Sequence, residues 1–428
     1  MITIPDSSAP RHRSDAEPLP TAAYIHIPFC RRRCYYCDFA VSIVGDRPPI
    51  SPIQPQEDGH GSKAIAPYLD LLHQEIQTAL SGGPLQTVFF GGGTPSLLSS
   101  QQIHRILTML KDQFAIADGA EISIEVDPDT IEPGMLERYR TLGINRISLG
   151  VQAFQDELLA ACGRTHRTHH IDHAIDQLSC AGLTNVSLDL ISGLPHQTMA
   201  QWTASLKAAI ATGAPHLSVY DLIVEPKTAF HRWYAPGEEP LPSDQATAQM
   251  YRQAHTILTQ AGYEHYEISN YAKPGFRCRH NLTYWKNQPF YGFGMGAASY
   301  VMRQRVTRPR TQAAYRDWVQ YSASDLSNPV PDSKTEQLLD TLMLGLRLSA
   351  GLSLTALAQR FGSAAVQQIT HTLEPFQEKG WVVYGPEDQL HLSDPDGFLF
   401  SNIILSALFG QFGDGDDCGG GDTEDFEE

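Results

Sequence analysis

Short apolar runs typical of β-strands alternate with helical patterns along the first half of the chain. The runs, rich in Val, Ile and aromatic residues, lie at Ala22–Ile27, Thr87–Phe90, Ile122–Val126, Arg146–Leu149, Val186–Ile191 and Leu217–Leu222. Helical periodicity between the runs occurs at Pro67–Leu80, Met135–Leu142 and Ile171–Ala181. Strands that alternate with helices pair in parallel through right-handed crossovers. The pattern predicts an α/β fold, a partial (β/α)6 TIM-like barrel with its functional site at the C-terminal strand ends.

Three cysteines follow the first strand, with gaps of three and two residues, at Cys30, Cys34 and Cys37. No fourth cysteine lies near them, although a closed structural metal site takes four protein ligands. Three thiolates on a four-iron cluster would leave one iron open to an outside ligand. The alternative is a zinc site completed by His26. Arg31–Arg33 fill the first gap, either to offset the charge of a cluster or as a solvated spacer.

The length of 428 residues allows one large and one small domain. The predicted divisions are a disordered N-terminus over 1–20, a barrel with its extension over 21–325, a surface insertion over 45–62, a C-terminal domain over 330–412 and an acidic disordered tail over 413–428.

The C-terminal region predicts a second, α+β unit. Ser333 and Glu336 fit a capping box that begins a helix. Three further helices are predicted at Leu354–Phe361, Ala364–Lys379 and Phe398–Phe412. A strand pair, Trp381–Tyr384 with Leu390–Leu392, precedes the last of them. Helices around a two-stranded wing predict a winged-helix-like domain that covers the barrel mouth. The apolar last helix is expected to pack in the core; a membrane-surface or partner contact is the alternative.

Charge and cysteine content limit the partners and the compartment. The formal charge is −17, and eight acids without a base lie in the last 16 residues. No basic stripe exists, so no nucleic-acid surface is expected. The chain has seven cysteines, lacks the apolar centre of a signal peptide and has no apolar stretch of about 18 residues. These features predict a reducing, cytoplasmic location.

Polar and glycine residues occur at the ends of successive predicted strands. They include the turn Gly91-Gly92-Gly93-Thr94-Pro95, then Glu125, Gln152, Arg164 and Asp189. Glycines expose backbone groups to a ligand, although a tight turn would also use them. A carboxylate inside an apolar strand is costly unless it is paired or binds a ligand. Together these residues predict one site at the mouth of the barrel.

Two further clusters contain histidine. His166, His169, His170 and His173 are interpreted as a polar helix start in preference to a metal or haem site. The second cluster, Cys278-Arg279-His280-Asn281-Leu282-Thr283-Tyr284-Trp285, offers haem-ligand types and aromatic rings. Its alternative reading is a loop packed against the barrel.

The three-plus-two cysteine spacing resembles the signature of the radical S-adenosylmethionine (SAM) superfamily. The order of YIHIPFC, GGGTP, IEVDP, SLGVQ, LDLISGLP and HNLTYW resembles the oxygen-independent coproporphyrinogen III oxidase-like family. The similarity covers about Tyr24 to Phe412. Within that family the chain resembles the HemW-type haem-chaperone branch, because Phe39 stands where the oxidase proper has cysteine and because HNLTYW matches the HNxxYW motif of the branch.

The resemblance implies roles for named residues. Cys30, Cys34 and Cys37 would hold a 4Fe-4S cluster whose fourth iron binds SAM. The residues expected to bind SAM are Tyr24, Phe39, Gly92, Gly93, Thr94 and Glu125, with Gln152, Arg164 and Asp189 at a second SAM position. The residues expected to contact haem are Cys278, His280, Asn281, Tyr284 and Trp285. No catalytic residue is assigned.

Two functions follow from this resemblance. The first is a haem chaperone that delivers haem to respiratory or other haem-requiring proteins. Its partners would be haem and haem-acceptor proteins, with a homodimer and a peripheral membrane contact also allowed. The second is an oxygen-independent coproporphyrinogen III oxidase that decarboxylates two propionates by radical chemistry. Phe39 and HNLTYW favour the chaperone.

Overall fold

The computed structural model describes residues 19–45, 62–80, 82–321 and 332–413. The predicted N-terminal disorder, most of the insertion at 45–62, the acidic tail after residue 413 and the boundary between the two domains lie outside these residues. Those predictions therefore stay predictions.

The described strands are, in chain order, β1 Ala22–Ile27, β2 Phe29–Cys30, β3 Ser42–Ile43, β4 Leu85–Gly92, β5 Ile116–Val126, β6 Arg146–Gln152, β7 Val186–Ser192, β8 His216–Asp221, β9 Glu264–Glu267, β10 Asn270–Ala272, β11 Tyr291–Phe293, β12 Ala298–Val301, β13 Gln304–Thr307, β14 Leu352–Ser353, β15 Val382–Tyr384 and β16 Gln389–Leu392.

The described α-helices are α1 Ser62–Thr78, α2 Ser100–Phe114, α3 Met135–Thr141, α4 Asp156–Ala161, α5 Thr168–Cys180, α6 Met199–Ala211, α7 Ala229–Trp233, α8 Asp244–Gln260, α9 Arg279–Trp285, α10 Gln312–Tyr321, α11 Lys334–Gly345, α12 Leu354–Phe361, α13 Ser363–Glu378, α14 Asp396–Leu399 and α15 Ser401–Phe412.

The predicted α/β fold with parallel strands is confirmed. Six strands pair in parallel in the order β1-β4-β5-β6-β7-β8, and helices such as α1, α2 and α5 connect them. The sheet is wider than the six predicted strands, because β11 adds in parallel to β1 and the antiparallel strands β10 and β9 extend the other edge. Strands of three or four residues carry too little alternation to be recognised from sequence.

The barrel core lies between the sheet and the outer helices. Leu69, Leu72 and Ile76 occur on one face of α1 and are at most 1% exposed. Ile103 and Ile106 of α2 are fully buried. Burial of each such side chain contributes about 1.5–3 kcal/mol relative to exposure. The helices are therefore held by packing against the sheet, which leaves the strand ends open for a site.

A second hydrophobic core marks the C-terminal unit, in which Leu342, Leu373 and Leu408 are fully buried. The predicted capping box is present at the start of α11, where Ser333 and Glu336 bond reciprocally. The small sheet has three strands, β14-β16-β15, instead of the predicted pair. The missed strand β14 has only two residues, which no sequence pattern can reveal.

The last helix, α15, packs mainly into this second core. Ile404 and Leu408 are fully buried, whereas Ile403 is 53% exposed. Arg347 contacts the Trp285 ring across the junction, at 4.6 Å from the ring centroid, so the second unit lies against the barrel. None of the helices among the described residues is both long and apolar enough to cross a membrane.

Candidate functional site

A cavity of about 430 Å³ opens at the C-terminal ends of the parallel strands. The predicted site residues that line it are Cys30, Cys34, Cys37, Phe39, Gly92, Gly93, Thr94, Glu125, Gln152, Arg164 and Asp189. Residues from β2, β4, β5, β6 and β7 thus meet at one mouth, as the strand-end pattern predicts. Tyr24 is not among the lining residues.

The cysteine loop is held in shape by one of its own arginines. β2 and β3 pair in parallel at the two ends of the loop. Between them the Arg33 guanidinium donates to the carbonyl oxygens of Cys37 at 3.1 Å, Phe39 at 3.2 Å and Val41 at 3.4 Å. Arg31 contacts Asp129 at 3.6 Å. The arginines therefore do more than fill a solvated gap, because Arg33 satisfies loop carbonyls that no strand binds.

The glycine turn at the end of β4 fits beneath the cysteine loop. The Gly93 amide donates to the Ile27 carbonyl at 2.8 Å, and the Thr94 amide donates to the Phe29 carbonyl at 2.7 Å. A Cβ at Gly93 would lie 2.7 Å from the Phe29 carbonyl and 3.0 Å from the Cys30 sulfur. Gly92 has φ +113°, which L side chains rarely adopt. Close approach of two loops, and not only the turn, requires glycine here.

His26 lies under the loop with both ring nitrogens engaged. Its Nε2 donates to the Ala40 carbonyl at 2.8 Å, so Nδ1 accepts from the Tyr24 hydroxyl at 3.1 Å. Burial lowers the pKa of His26. The zinc alternative needs this imidazole as a fourth ligand, but its lone pair already has a partner. Tyr24 likewise supports His26 from below.

The three thiols line one cavity, as the ligands of a shared metal group would. Among the described residues no other cysteine lines it, so the thiols do not complete a closed four-thiolate site. Burial raises the pKa of the Cys30 thiol to about 12, so a bound metal must supply the charge that stabilises its thiolate.

Glu125 and Asp189 place two partly buried carboxyl groups in the lining of the cavity. Glu125 Oε2 accepts from the Gly92 amide at 3.0 Å. Burial, and secondarily the charge of Asp189, raise the pKa of Glu125 to about 8. Burial also raises the pKa of Asp189, which accepts from the hydroxyls of Ser148 at 2.8 Å and Ser187 at 3.3 Å. Glu125 has spare acceptor capacity, whereas Asp189 is better satisfied.

An ion pair that the sequence did not reveal links the cavity to the cysteine loop. Arg164 contacts Asp127 at 2.7 Å and donates to the Cys34 sulfur at 3.5 Å. Burial would raise the pKa of Asp127, but the charge of Arg164, and secondarily the neighbouring His166, bring it below its ordinary value. Asp127 was visible only as a member of IEVDP. Arg164 therefore places a fixed positive charge beside a predicted ligand.

Gln152 ends β6 in a left-handed conformation, with φ +64°. This backbone is uncommon for a residue other than glycine and occurs often at functional sites. Its side chain lines the cavity. The sequence could not show this strain, since nothing in SLGVQ distinguishes it from an ordinary strand end.

Exposed apolar side chains surround the mouth of the cavity. Phe39 is 58% exposed, Ile223 is 66% exposed and Tyr220 is 43% exposed, and all three line the cavity. Tyr220 lies near the end of β8 and Ile223 follows the strand, and neither was predicted as a site residue. Apolar groups exposed together at a cleft are typical of ligand surfaces.

The HNLTYW segment lies at the opposite end of the barrel. His280 is 1% exposed on α9, with its Nδ1 bonded to the Thr87 hydroxyl at 2.7 Å and its Nε2 to the Tyr284 hydroxyl at 2.6 Å. The Glu121 carboxylate accepts from the His280 amide at 3.0 Å. Burial lowers the pKa of His280 to about 3. Thr87 lies near the start of β4 and pairs with Glu121 of β5, so the segment packs toward the N-terminal end of the strands, away from the cysteines.

The remaining residues of that motif also lie away from the cavity. Cys278 is buried, and its sulfur accepts from the Asn281 amide at the start of α9. Trp285 contacts Arg347 of the C-terminal unit. This arrangement corresponds to the packed-loop alternative.

The histidines after Arg164 have local partners. His166 is fully buried, and its Nε2 donates to the Val151 carbonyl at 3.0 Å. His170 Nδ1 accepts from the Arg167 amide at the start of α5. These contacts agree with the interpretation as a helix start, extended by a role for His166 in holding Arg164.

Comparison with family models supports both described units. Residues 24–209 match the Radical SAM superfamily, and residues 332–388 match the HemN C-terminal domain. Among solved structures, the coproporphyrinogen III oxidase HemN from Escherichia coli, a radical SAM enzyme, covers 92% of this chain and is covered over 91% of its own length. The TM-score is 0.76 at 24% sequence identity, which shows a shared fold.

Curated relatives match over nearly their whole length. The chain is 45% identical over 410 residues to the heme chaperone HemW of Synechocystis sp., with 91% of this chain and 97% of the relative covered. It is 34% identical to the heme chaperone HemW of Bacillus subtilis, with 91% and 99% covered. With this coverage and identity, the chain belongs to the HemW family of radical SAM proteins.

Proposed function

We propose that this protein is a haem chaperone that binds haem and transfers it to haem-requiring proteins. The observation that carries the proposal is the 45% identity to a relative named as a heme chaperone, of which 97% of the length is covered. Phe39 adds support, because this exposed ring stands where the oxidase pattern has cysteine. The similarity to the solved oxidase, at 24% identity, supports the fold and not its activity.

The cavity is proposed to hold a 4Fe-4S cluster and one SAM molecule. Cys30, Cys34 and Cys37 would ligate three irons, and their place in the lining of one cavity supports this assignment. When bound, the cluster supplies an iron that is open to SAM, and SAM supplies a sulfonium that can accept an electron. The glycine turn supports SAM as the ligand, because it exposes backbone at the cavity wall beside the cysteines.

The residues of the chain orient this pair. Glu125, which accepts only one described hydrogen bond at Oε2, can accept further bonds from ribose hydroxyls. Arg164 donates to the Cys34 sulfur and so fixes a positive charge beside a proposed cluster ligand. Arg164 and Asp189 already have close partners in Asp127 and Ser148, which supports a structural role for them rather than contacts to a second SAM.

Haem is proposed to dock on the exposed apolar rim formed by Phe39, Tyr220 and Ile223, which we call the mouth rim. A porphyrin face is large and apolar, and its propionates favour nearby cations. Arg31 and Arg33 line the same cavity and bring positive charge to the rim.

The expected haem contacts at HNLTYW are not tested by these observations. For His280 to bind iron, its ring would have to leave the Thr87 and Tyr284 hydroxyls and become exposed. Two buried hydrogen bonds oppose that movement. The mouth rim needs no such rearrangement, so it is the proposed site. Delivery to respiratory proteins, a homodimer, a peripheral membrane contact and a cytoplasmic location stay predictions.

Haem titration of rim variants tests the proposal. We expect Ile223→Asp to weaken haem binding at least tenfold. A carboxylate on the rim would lose hydration against the apolar porphyrin face, and its charge would repel the propionates. Absorption titration with haemin on the cluster-loaded protein measures the change. Ile403→Asp is the matched control, since Ile403 is a similarly exposed isoleucine on α15, in the C-terminal unit.

Transfer distinguishes a chaperone from a haem-binding protein. Haem-loaded protein is mixed with an apo haem protein, and the appearance of the holo spectrum is followed. Equal haem affinity in Ile223→Asp and Ile403→Asp would remove the rim assignment. Absence of transfer, or conversion of coproporphyrinogen to protoporphyrinogen by the anaerobic protein with SAM and reductant, would contradict the chaperone as its sole function.

A further inference from the structure

Two histidines and an aspartate converge where the C-terminal unit meets the barrel. His255 lies on α8, His265 lies on β9 and Asp394 lies in the turn before α14. One donor atom from each lies within 4.8 Å of the others. Since Asp394 is far along the chain from both histidines, the cluster forms only when the two units are packed together.

Two imidazole nitrogens and one carboxylate oxygen converge on one point. His265 Nδ1 is hydrogen-bonded to Asp394 Oδ1 at 2.7 Å, and His255 Nδ1 lies 3.0 Å from the same oxygen. The contact of His255 lacks hydrogen-bond alignment, and its buried Nδ1 has no hydrogen-bond partner among the described residues. A cation between the three groups would give the His255 nitrogen the partner that it lacks.

The outer contacts of His265 are those of a metal ligand. Both ring nitrogens of His265 face acceptor oxygens, Nδ1 the Asp394 carboxylate at 2.7 Å and Nε2 the Ile268 carbonyl at 3.1 Å. With a cation in place of the proton between Nδ1 and Asp394, Nε2 would still donate to the Ile268 carbonyl and Nδ1 would present its lone pair to the ion. Ligating histidines commonly donate their other N–H to a carbonyl, which fixes the tautomer.

The position of His265 is fixed before any ion binds. The Tyr271 ring stacks on it at 4.0 Å with an interplanar angle of 4°, and the Phe398 ring meets it edge-on at 5.2 Å. The His265 side chain is 1% exposed, whereas those of His255 and Asp394 are 23% and 27% exposed. The buried ligand is therefore preorganised, and the two partly exposed ligands leave an entry path.

We propose that His255, His265 and Asp394 bind a divalent transition-metal ion that clamps the C-terminal unit to the barrel. Two imidazoles and one carboxylate suit Zn²⁺, with water in the fourth position. The neighbouring Arg252–Asp396 ion pair, at 2.7 Å, joins the same two elements, α8 and α14, beside the ion. The site is separate from the cysteine loop and does not depend on the proposed haem function.

Zinc titration of the untagged, cluster-loaded, full-length protein tests the site. Zn²⁺ binding is measured by competition with a chromogenic chelator, in wild type and in His255→Gln. We expect wild type to bind one ion at least tenfold more tightly than the variant does. His371→Gln is the matched control, because His371 is an 83%-exposed histidine on α13 that forms an ion pair with Glu374, and this variant should match wild type.

Thermal unfolding gives a second readout. Zn²⁺ should raise the unfolding midpoint of wild type and of His371→Gln and leave that of His255→Gln and Asp394→Asn unchanged. X-ray absorption at the zinc edge should show two imidazole nitrogens and a carboxylate oxygen. The proposal is overturned if wild type, His255→Gln and His371→Gln bind zinc with equal affinity and stoichiometry, since a proton shared by His265 and Asp394 would then account for the geometry.

Discussion

The two ends of the barrel contain similarly dense motifs but differ in how their polar groups are satisfied. At the C-terminal end, Glu125 and the three thiols line an open cavity. At the N-terminal end, His280 is buried with each ring nitrogen bonded to a hydroxyl. A group with unused bonding capacity beside a cavity can bind a ligand, whereas a fully paired group stabilises the fold. Position and pairing, and not motif density, separate these two roles.

The largest effect is expected at the cysteine loop. Cys37→Ser should reduce the cluster iron of the anaerobically reconstituted protein from about four per chain to near zero, because a cubane held by two thiolates is unstable. Iron and sulfide analysis and visible absorption check this. Cys180→Ser is the control, since Cys180 is exposed on α5 and outside the cavity. If both variants keep the brown chromophore, the open end does not hold a cluster.

A methyl group at the glycine turn should impair the cavity next. Gly93→Ala would place its Cβ 2.7 Å from the Phe29 carbonyl, so the two loops must separate. We expect a loss of about 1–3 kcal/mol in unfolding free energy and at least a tenfold weaker binding of SAM. Denaturant unfolding and equilibrium dialysis measure these quantities.

The control for the turn is Gly83→Ala. A Cβ at Gly83 meets nothing within 4 Å. This variant should keep SAM affinity and change stability by less than about 1 kcal/mol. Equal SAM affinity in both alanine variants would show that the close approach at Gly93 does not shape the binding site.

At the N-terminal end of the barrel, substitution of His280 should lower the stability of the fold and leave haem binding unchanged. His280→Ala leaves the Thr87 and Tyr284 hydroxyls without their partner and should cost roughly 2–4 kcal/mol. Haem affinity of the folded fraction should stay within twofold of wild type. Denaturant unfolding and haemin titration measure the two effects. A haem affinity at least tenfold lower, with unchanged stability, would place haem at HNLTYW. It would contradict a purely structural role for the N-terminal end of the barrel.

The smallest effect concerns pH. The pKa of Glu125 rises from 4.5 to about 8 in the folded apo protein, so the folded state holds a proton that the unfolded state has lost between these values. This contribution to stability is complete below pH 4.5 and is lost as the pH rises toward 8. The unfolding free energy of Glu125→Gln relative to wild type should therefore increase across this window. A difference that stays flat with pH would indicate that Glu125 is charged throughout.

Periodicity predicted the parallel strands but missed edge strands of the nine-stranded and the three-stranded sheet. The six central strands are long and buried on both faces, so their apolar runs are visible in the sequence. β11 and β14, with three and two residues, carry no readable period. Pairing with a long neighbouring strand, and not local preference, makes them strands.

The candidate site likewise contains residues that the sequence predicted and residues that it did not. Cysteine spacing and the GGGTP run predicted residues that the structure brings to one cavity. Asp127 and Ile223 were missed, since an aspartate before proline and an isoleucine after a strand are common in any chain. Tyr24 was predicted beside SAM, yet it lies outside the cavity lining and bonds to His26.

Residue types and their spacing along the chain were sufficient to predict the α/β barrel, the three-cysteine loop and the family. The tertiary structure was needed to show that HNLTYW is buried at the N-terminal end of the barrel and that Arg164 pairs with Asp127. It was also needed to show that His255, His265 and Asp394 meet at the domain junction. Such contacts join residues distant in sequence, and their energy depends on burial and geometry that no local pattern encodes.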